Sequence, residues 1–131
     1  MTCLDMPPLK VFLVEDSLIV RDALSRILAR IGGVQIVGGA EDERTALELM
    51  QDRRPDVAIV DLKLRSGSGI GVLKALSRDP DRFGRPRAVV FSNHSHRLAR
   101  ERWLALGVER IFDKATQIDE LLAYIRQTVP S

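Results

Sequence analysis

The 131-residue chain sets 20 Lys and Arg against 18 Asp and Glu, a net charge of +2, with 45% hydrophobic and 29% charged residues. That length holds one domain with a real core, the composition excludes a disordered or fibrous chain, and so slight a charge gives no argument for nucleic-acid binding. One cysteine, Cys3, excludes an internal disulfide and reads as inert, no apolar run approaches the ~18 residues of a membrane span, and the first ten residues lack a secretion signal's pattern, so a cytoplasmic protein is expected.

The first apolar run, Val11-Phe12-Leu13-Val14, predicts a strand. Val20, Ala23, Leu24, Ile27, Leu28 and Ile31 then follow helical spacing, closed by Gly32-Gly33. A second strand falls on Val34-Gln35-Ile36-Val37. The second helix carries Ala46, Leu47, Leu49 and Met50, with Glu41-Asp42-Glu43 at its positive end and Arg54-Pro55 ending it. Val57-Ala58-Ile59-Val60 is the third strand, and Gly67-Ser68-Gly69 reads as a mobile loop. Ile70, Leu73 and Leu76 mark the third helix. The stretch from Pro80 to Pro86, where Arg78, Arg82, Arg85 and Arg87 interleave with Asp79 and Asp81, reads as a plain linker. Ala88-Val89-Val90-Phe91 is the fourth strand. The fourth helix carries Leu98, Trp103, Leu104 and Leu106 and stops at Gly107. A short fifth strand, Arg110-Ile111-Phe112, precedes a helix starting at Thr116. Asp119 gives that start a capping-box-like pattern, and Ile118, Leu121, Leu122, Ile125 and Val129 form its apolar face. Four of the apolar runs are short and β-branched, as in strands buried on both faces.

Five strands alternating with five helices predict an α/β fold: a parallel sheet with helices on both faces. Right-handed crossovers leave few topologies, of which the order 2-1-3-4-5 is preferred. Such sheets bind ligands at the carboxyl ends of their strands. There stand Glu15-Asp16, Asp61, Ser92-Asn93 and Asp113-Lys114. Taken singly, each reads as a helix cap, a turn residue or a solvated lysine. Taken together, three carboxylates, a hydroxyl and an ammonium meet on one edge. Glu15, Asp16 and Asp61 crowd like charges, which a hard divalent ion with oxygen ligands relieves; Mg²⁺ fits a shallow site of this kind. A carboxylate beside Mg²⁺ and Lys114 is equipped to attack a phosphoryl group, with Ser92 hydrogen-bonding a phosphoryl oxygen. No Walker loop or GxGxxG turn is present.

These residues resemble the receiver domain of bacterial two-component response regulators, from about Val11 to Val129. The likeness rests on Val14-Glu15-Asp16-Ser17, Val60-Asp61-Leu62-Lys63-Leu64 running to Gly69, Val90-Phe91-Ser92-Asn93 and Phe112-Asp113-Lys114. It implies a flavodoxin-like fold with Asp61 as phosphoacceptor. Asp16 would ligate Mg²⁺ directly, Glu15 mainly through water, and the backbone carbonyl of Lys63 would be a further ligand. Ser92 and Lys114 would contact the phosphoryl group, and a histidine kinase or histidine phosphotransfer protein would donate it. The chain departs from the family at three places: Ala115 follows the lysine where proline is frequent, Arg65 stands at another usual proline, and Ile111 occupies the aromatic switch position. Phe112, one residue on, is expected on the other side of its strand. The Lys63 side chain would either tune the acyl phosphate's lifetime or be solvated.

Other features carry simpler expectations. His94 and His96 read as surface histidines, with no third ligand in reach. Arg97, Arg100 and Arg102 read as an interaction surface on the fourth helix, where receivers usually signal. One of Leu18 and Ile19 is expected to be exposed, at the place where receivers dock a kinase. The expected protein is a stand-alone receiver of the chemotaxis type: residues 1–131 as one domain with its core at about 10–129, no output domain, no direct DNA or membrane binding, and a monomer or weak dimer. It would act through a protein partner or a phosphorelay and catalyse only its own phosphorylation and dephosphorylation. The alternatives are a phosphorylation-independent adaptor and, last, a small flavodoxin-like enzyme or nucleotide binder.

Overall fold

The computed structural model describes residues 6–93 and 97–130, and the side chains of all of these except 97–100. Cys3, His94 and His96 lie outside the described residues. So do the side chains of Arg97, Leu98 and Arg100.

Five strands, β1 (Leu9–Val14), β2 (Val34–Ala40), β3 (Val57–Val60), β4 (Arg87–Ser92) and β5 (Val108–Asp113), form one sheet in the order β2-β1-β3-β4-β5. Every pairing is parallel. The helices are α1 (Leu18–Ala29), α2 (Glu43–Arg53), α3 (Gly69–Arg78), α4 (Arg97–Ala105) and α5 (Ile118–Thr128). The expected flavodoxin-like α/β architecture and strand order are therefore observed.

The pleat divides each strand between two cores. Phe12, Val14, Ala58, Val60 and Val90 join α2 and α3 through Met50, Leu73 and Leu76. Val11, Leu13, Ile59, Val89 and Phe91 join α1 and α5 through Leu24, Leu28, Leu121 and Ile125. Ile111 falls in the first core and Phe112 in the second, on opposite sides of β5 as the alternation requires.

Several expectations are corrected. β2 is an edge strand, and of its residues only Ala40 is buried, so this run is not covered on both faces. It also continues through Gly38-Gly39. The register of β1 against it shifts at Phe12, whose ring lies where a side chain at Gly38 would begin. On α1, Ala23 and Ile27 are exposed, and the buried stripe is Leu24 and Leu28 alone. Both Leu18 and Ile19 are exposed, at 66% and 83%. α5 begins at Ile118 rather than Thr116, with no side-chain cap. Asp113 organises the approach instead. Its carbonyl accepts from the backbone of Thr116 and Gln117, its carboxylate accepts from Ala115, and the Gln117 side chain accepts from Asp113 N–H. Such local side-chain bonds compete with a helical start. On α4, Trp103 is buried while Leu104 is exposed. The Pro80–Pro86 segment is not a plain linker. Pro80–Phe83 forms a 3₁₀ turn whose Phe83 enters the first core. The Arg54 guanidinium ties it to the end of α2 by donating to the carbonyls of Asp81 (2.9 Å) and Arg82 (3.2 Å).

Candidate functional site

At the carboxyl edge of the sheet, β1 delivers Glu15 and Asp16, β3 delivers Asp61, β4 ends in Ser92 and β5 is followed by Lys114. They converge because β1, β3, β4 and β5 are consecutive parallel neighbours whose carboxyl ends share one edge of the sheet. Glu15, Asp61 and Ser92 are buried and Asp16 is half-buried. Ser92 Oγ donates to Asp61 Oδ1 at 3.0 Å, and Lys114 Nζ donates to Asp61 Oδ2 at 2.7 Å. Lys114 also donates to Glu15 Oε1. Lys63 N–H reaches Asp61 Oδ1 at 3.3 Å, while its side chain is exposed. A shallow cavity of about 240 Å³ opens over this group, bounded further by Ser17, Val20 and Asn93.

Carboxylate oxygens of Glu15, Asp16 and Asp61 lie within 4.8 Å of one another, a group able to hold a metal ion. The charge balance points the same way. Three carboxylates face one half-buried ammonium, leaving a net charge of −2. Burial raises the Glu15 carboxyl above its usual value, outweighing the hydrogen bonds from Lys114 and Ser17. Burial alone would lower Lys114, but its hydrogen bonds to Asp61 and Glu15 and their charges outweigh it, and the amine is held charged above its usual value. An all-oxygen donor set with a doubly negative deficit fits a hard divalent ion. Oxygen ligands at so shallow a cavity suit Mg²⁺, which keeps part of its water shell.

Several residues have supporting roles that the sequence reading does not assign. Ser17 caps α1, its hydroxyl accepting from Val20 N–H at 3.3 Å, and its own N–H holds Glu15 Oε2 at 2.9 Å. A serine directly before an apolar helical run is the signal that marks it. Arg21, one turn into α1, donates to the Glu15 carbonyl at 2.8 Å, a contact no local pattern announces. The Gly67-Ser68-Gly69 segment, expected to be mobile, is tied down. Ser68 caps α3 through Gly71 N–H (3.1 Å), and Gly69 N–H donates to the Leu62 carbonyl (3.0 Å). Gly69 is obligatory there, since a Cβ would stand 2.1 Å from the Asp61 carbonyl oxygen.

A parallel sheet of this order, with acids just after β1 and β3 and a lysine just after β5, defines a receiver-type arrangement on a flavodoxin-like fold. The family model of the response regulator receiver domain matches residues 11–126, and the chain belongs to that family. Its similarity extends to a protein-glutamate methylesterase/protein-glutamine glutaminase of Myxococcus xanthus, 37% identical over 86 residues, which are 66% of this chain and 24% of that protein. It extends also to the response regulator GacA of Pseudomonas aeruginosa, 30% identical over 120 residues, 91% of this chain and 54% of that one. Among solved structures, the receiver domain of NarL from Mycobacterium tuberculosis superposes with a TM-score of 0.82 at 25% identity, covering 94% of this chain and 97% of that one. The response regulator domain of Thermotoga maritima CheB gives a TM-score of 0.81 at 23% identity, covering 93% and 96%, and shares the fold. The chain spans between a quarter and about half of the length of these two sequence relatives. It covers the receiver part of the methylesterase relative, a signalling module. No helix among the described residues is long and apolar enough to cross a membrane.

Proposed function

We propose that the chain accepts a phosphoryl group on Asp61 from a phosphohistidine, with Mg²⁺ held by Asp16, Asp61, the Lys63 backbone carbonyl and, through water, Glu15. The observation that carries this reading is the treatment of the Asp61 carboxylate. Both of its oxygens are held, one by Ser92 and one by Lys114, with two further acids alongside. A carboxylate oxygen of Asp61 attacks phosphorus, the P–N bond to the donor histidine breaks, and the imidazole leaves with the electron pair. Bound Mg²⁺ supplies charge neutralisation on the transferring oxygens. Lys114 adds a second positive charge to them, and Ser92 turns its hydroxyl from Asp61 to a phosphoryl oxygen. The donor is a histidine kinase or histidine phosphotransfer protein. Leu18 and Ile19, exposed beside the cavity at the head of α1, give its helix an apolar landing.

The output passes through a protein partner or a further phosphotransfer. One observation favours a second reading, a phosphorylation-independent adaptor. Ile111 is buried in the core where the family's switch residue is aromatic, so no ring is available there to swing.

Intact-mass measurement after incubation with acetyl phosphate separates the two. The phosphoacceptor reading expects one phosphoryl adduct that requires Mg²⁺ and disappears in Asp61→Asn. No adduct from acetyl phosphate, and none from a panel of phosphorylated histidine kinases, would leave the adaptor.

A further inference from the structure

Glu43 stands at the first position of α2, outside the acidic cluster, yet its side chain is directed at the loop between β3 and α3. Its Oε1 accepts from Ser68 N–H at 3.0 Å, and its own N–H donates to the Ser66 carbonyl at 3.2 Å. Two glycines make room for it. A Cβ at Gly71 would fall 2.2 Å from Glu43 Oε1, and one at Gly67 would fall 2.6 Å from Glu43 Cβ. The helix does not need Glu43 as a cap, because Asp42 already fills that role, accepting from Thr45 N–H at 2.7 Å.

The contact leads onward to the phosphoryl site. Ser68 pairs with Lys63 in an isolated antiparallel bridge, and Lys63 N–H donates to Asp61 Oδ1 at 3.3 Å. Glu43 is thereby joined to Asp61 through Ser68 and Lys63. An ion pair between Glu41 and Arg65, at 3.7 Å, adds a second tie between the same two segments.

We propose that Glu43 is a positioning residue for the phosphoryl site. It anchors Ser68, which fixes Lys63, so that the Lys63 main chain stays against Asp61 and ready for the cation. A carboxylate suits the task, since hydrogen bonds to a charged acceptor are shorter and stronger than neutral ones. Groups that orient a metal ligand without touching the ion commonly govern its affinity. This proposal rests on the reading of Asp61 as an Mg²⁺-assisted phosphoacceptor.

The test titrates MgCl₂ into the full chain by calorimetry and follows amide hydrogen exchange at Lys63 and Ser68. Glu43→Ala is expected to weaken Mg²⁺ binding about tenfold and to speed exchange at both amides. Glu43→Gln, which keeps the Oε1 acceptor but not its charge, should retain most of the wild-type affinity. Gly71→Ala displaces the Glu43 carboxylate while leaving Glu43 in place, and should reproduce the weakened binding even if Glu43→Ala does not fold. Faster exchange in Glu43→Ala with unchanged Mg²⁺ affinity would overturn the proposal, reducing Glu43 to a brace for the loop. A wild-type chain that binds no Mg²⁺ and takes no phosphoryl group would instead overturn the phosphoacceptor reading and this one with it. The acetyl phosphate experiment identifies that case separately.

Discussion

Tyr124 shows how a single side chain ties two elements together. It is the only tyrosine in the chain and sits on the inner face of α5. Its hydroxyl donates to Glu109 on β5, which also pairs with Arg87 on β4 at 3.5 Å. The Arg110 guanidinium lies 5.2 Å from the Phe112 ring centroid and 5.7 Å from that of Tyr124. Burial, and then the Glu109 carboxylate, push the phenol up to about 12. A folded-state value above the unfolded one stabilises the protein below the unfolded value and is lost as pH rises through the folded one. Tyr124 should therefore contribute on the order of 1–2 kcal/mol up to about pH 10, after allowance for solvent screening, and lose it towards pH 12. Titration of tyrosinate absorbance reads this directly, because no other tyrosine contributes. Glu109→Gln should bring the midpoint down. A wild-type midpoint near 10 would show that the hydroxyl is solvated rather than held by Glu109.

At the scale of elements, α1 buries one apolar pair and exposes another. Leu24 and Leu28 are buried in the core that α1 shares with α5, whereas Leu18 and Ile19 point outward beside the acidic cavity. Leu28→Ala should cost about 2–5 kcal/mol in denaturant unfolding, the usual cost of emptying a leucine site. Ile19→Ala should stay within about 0.5 kcal/mol of wild type. On the proposed reading the order reverses for phosphotransfer. Ile19→Ala is expected to slow uptake from a phosphorylated kinase and leave uptake from acetyl phosphate unchanged, since the small donor needs no docking surface. Equal loss with both donors would place Ile19 in the site's support instead. This division was only partly legible in the sequence. The 3.6-residue spacing drew Ala23 and Ile27 into the apolar stripe, because periodicity registers hydrophobicity but not the width of the groove a helix enters. The start of α5 was missed for a local reason, the Asp113–Gln117 bonds that hold the chain in a turn. Phe83 was missed for a distant one, since its burial depends on α2 and the Arg54 clasp.

Over the whole molecule, the most readable feature was the junction between apolar strand and polar terminus. Val14-Glu15, Val60-Asp61, Phe91-Ser92 and Phe112-Asp113 each mark a strand end to within one residue, and the parallel order brings all four to one edge. The Glu43 contact could not be read this way, because it depends on how α2 meets the β3–α3 loop, and no spacing within either segment encodes that meeting. The same convergence sets a conflict between stability and function. Three acids crowd around one ammonium that pairs with only two of them, so the ion-free fold carries repulsion that the proposed Mg²⁺ would relieve. An ion that binds the folded chain alone stabilises it by about 2.7 kcal/mol at a hundredfold excess over its dissociation constant. For a domain of this size that corresponds to a rise of about 10 °C in Tm. Asp16→Asn removes one of the three charges without emptying a core position, for Asp16 is the half-buried member of the group. Ion-free Asp16→Asn should therefore melt above ion-free wild type, and Mg²⁺ should no longer raise its Tm. Thermal unfolding of both proteins, with and without Mg²⁺, gives the comparison. If ion-free Asp16→Asn melted lower than wild type, Asp16 would be holding the loop after β1 in place, and the repulsion assigned to the acidic group would be too small to govern the stability of the fold.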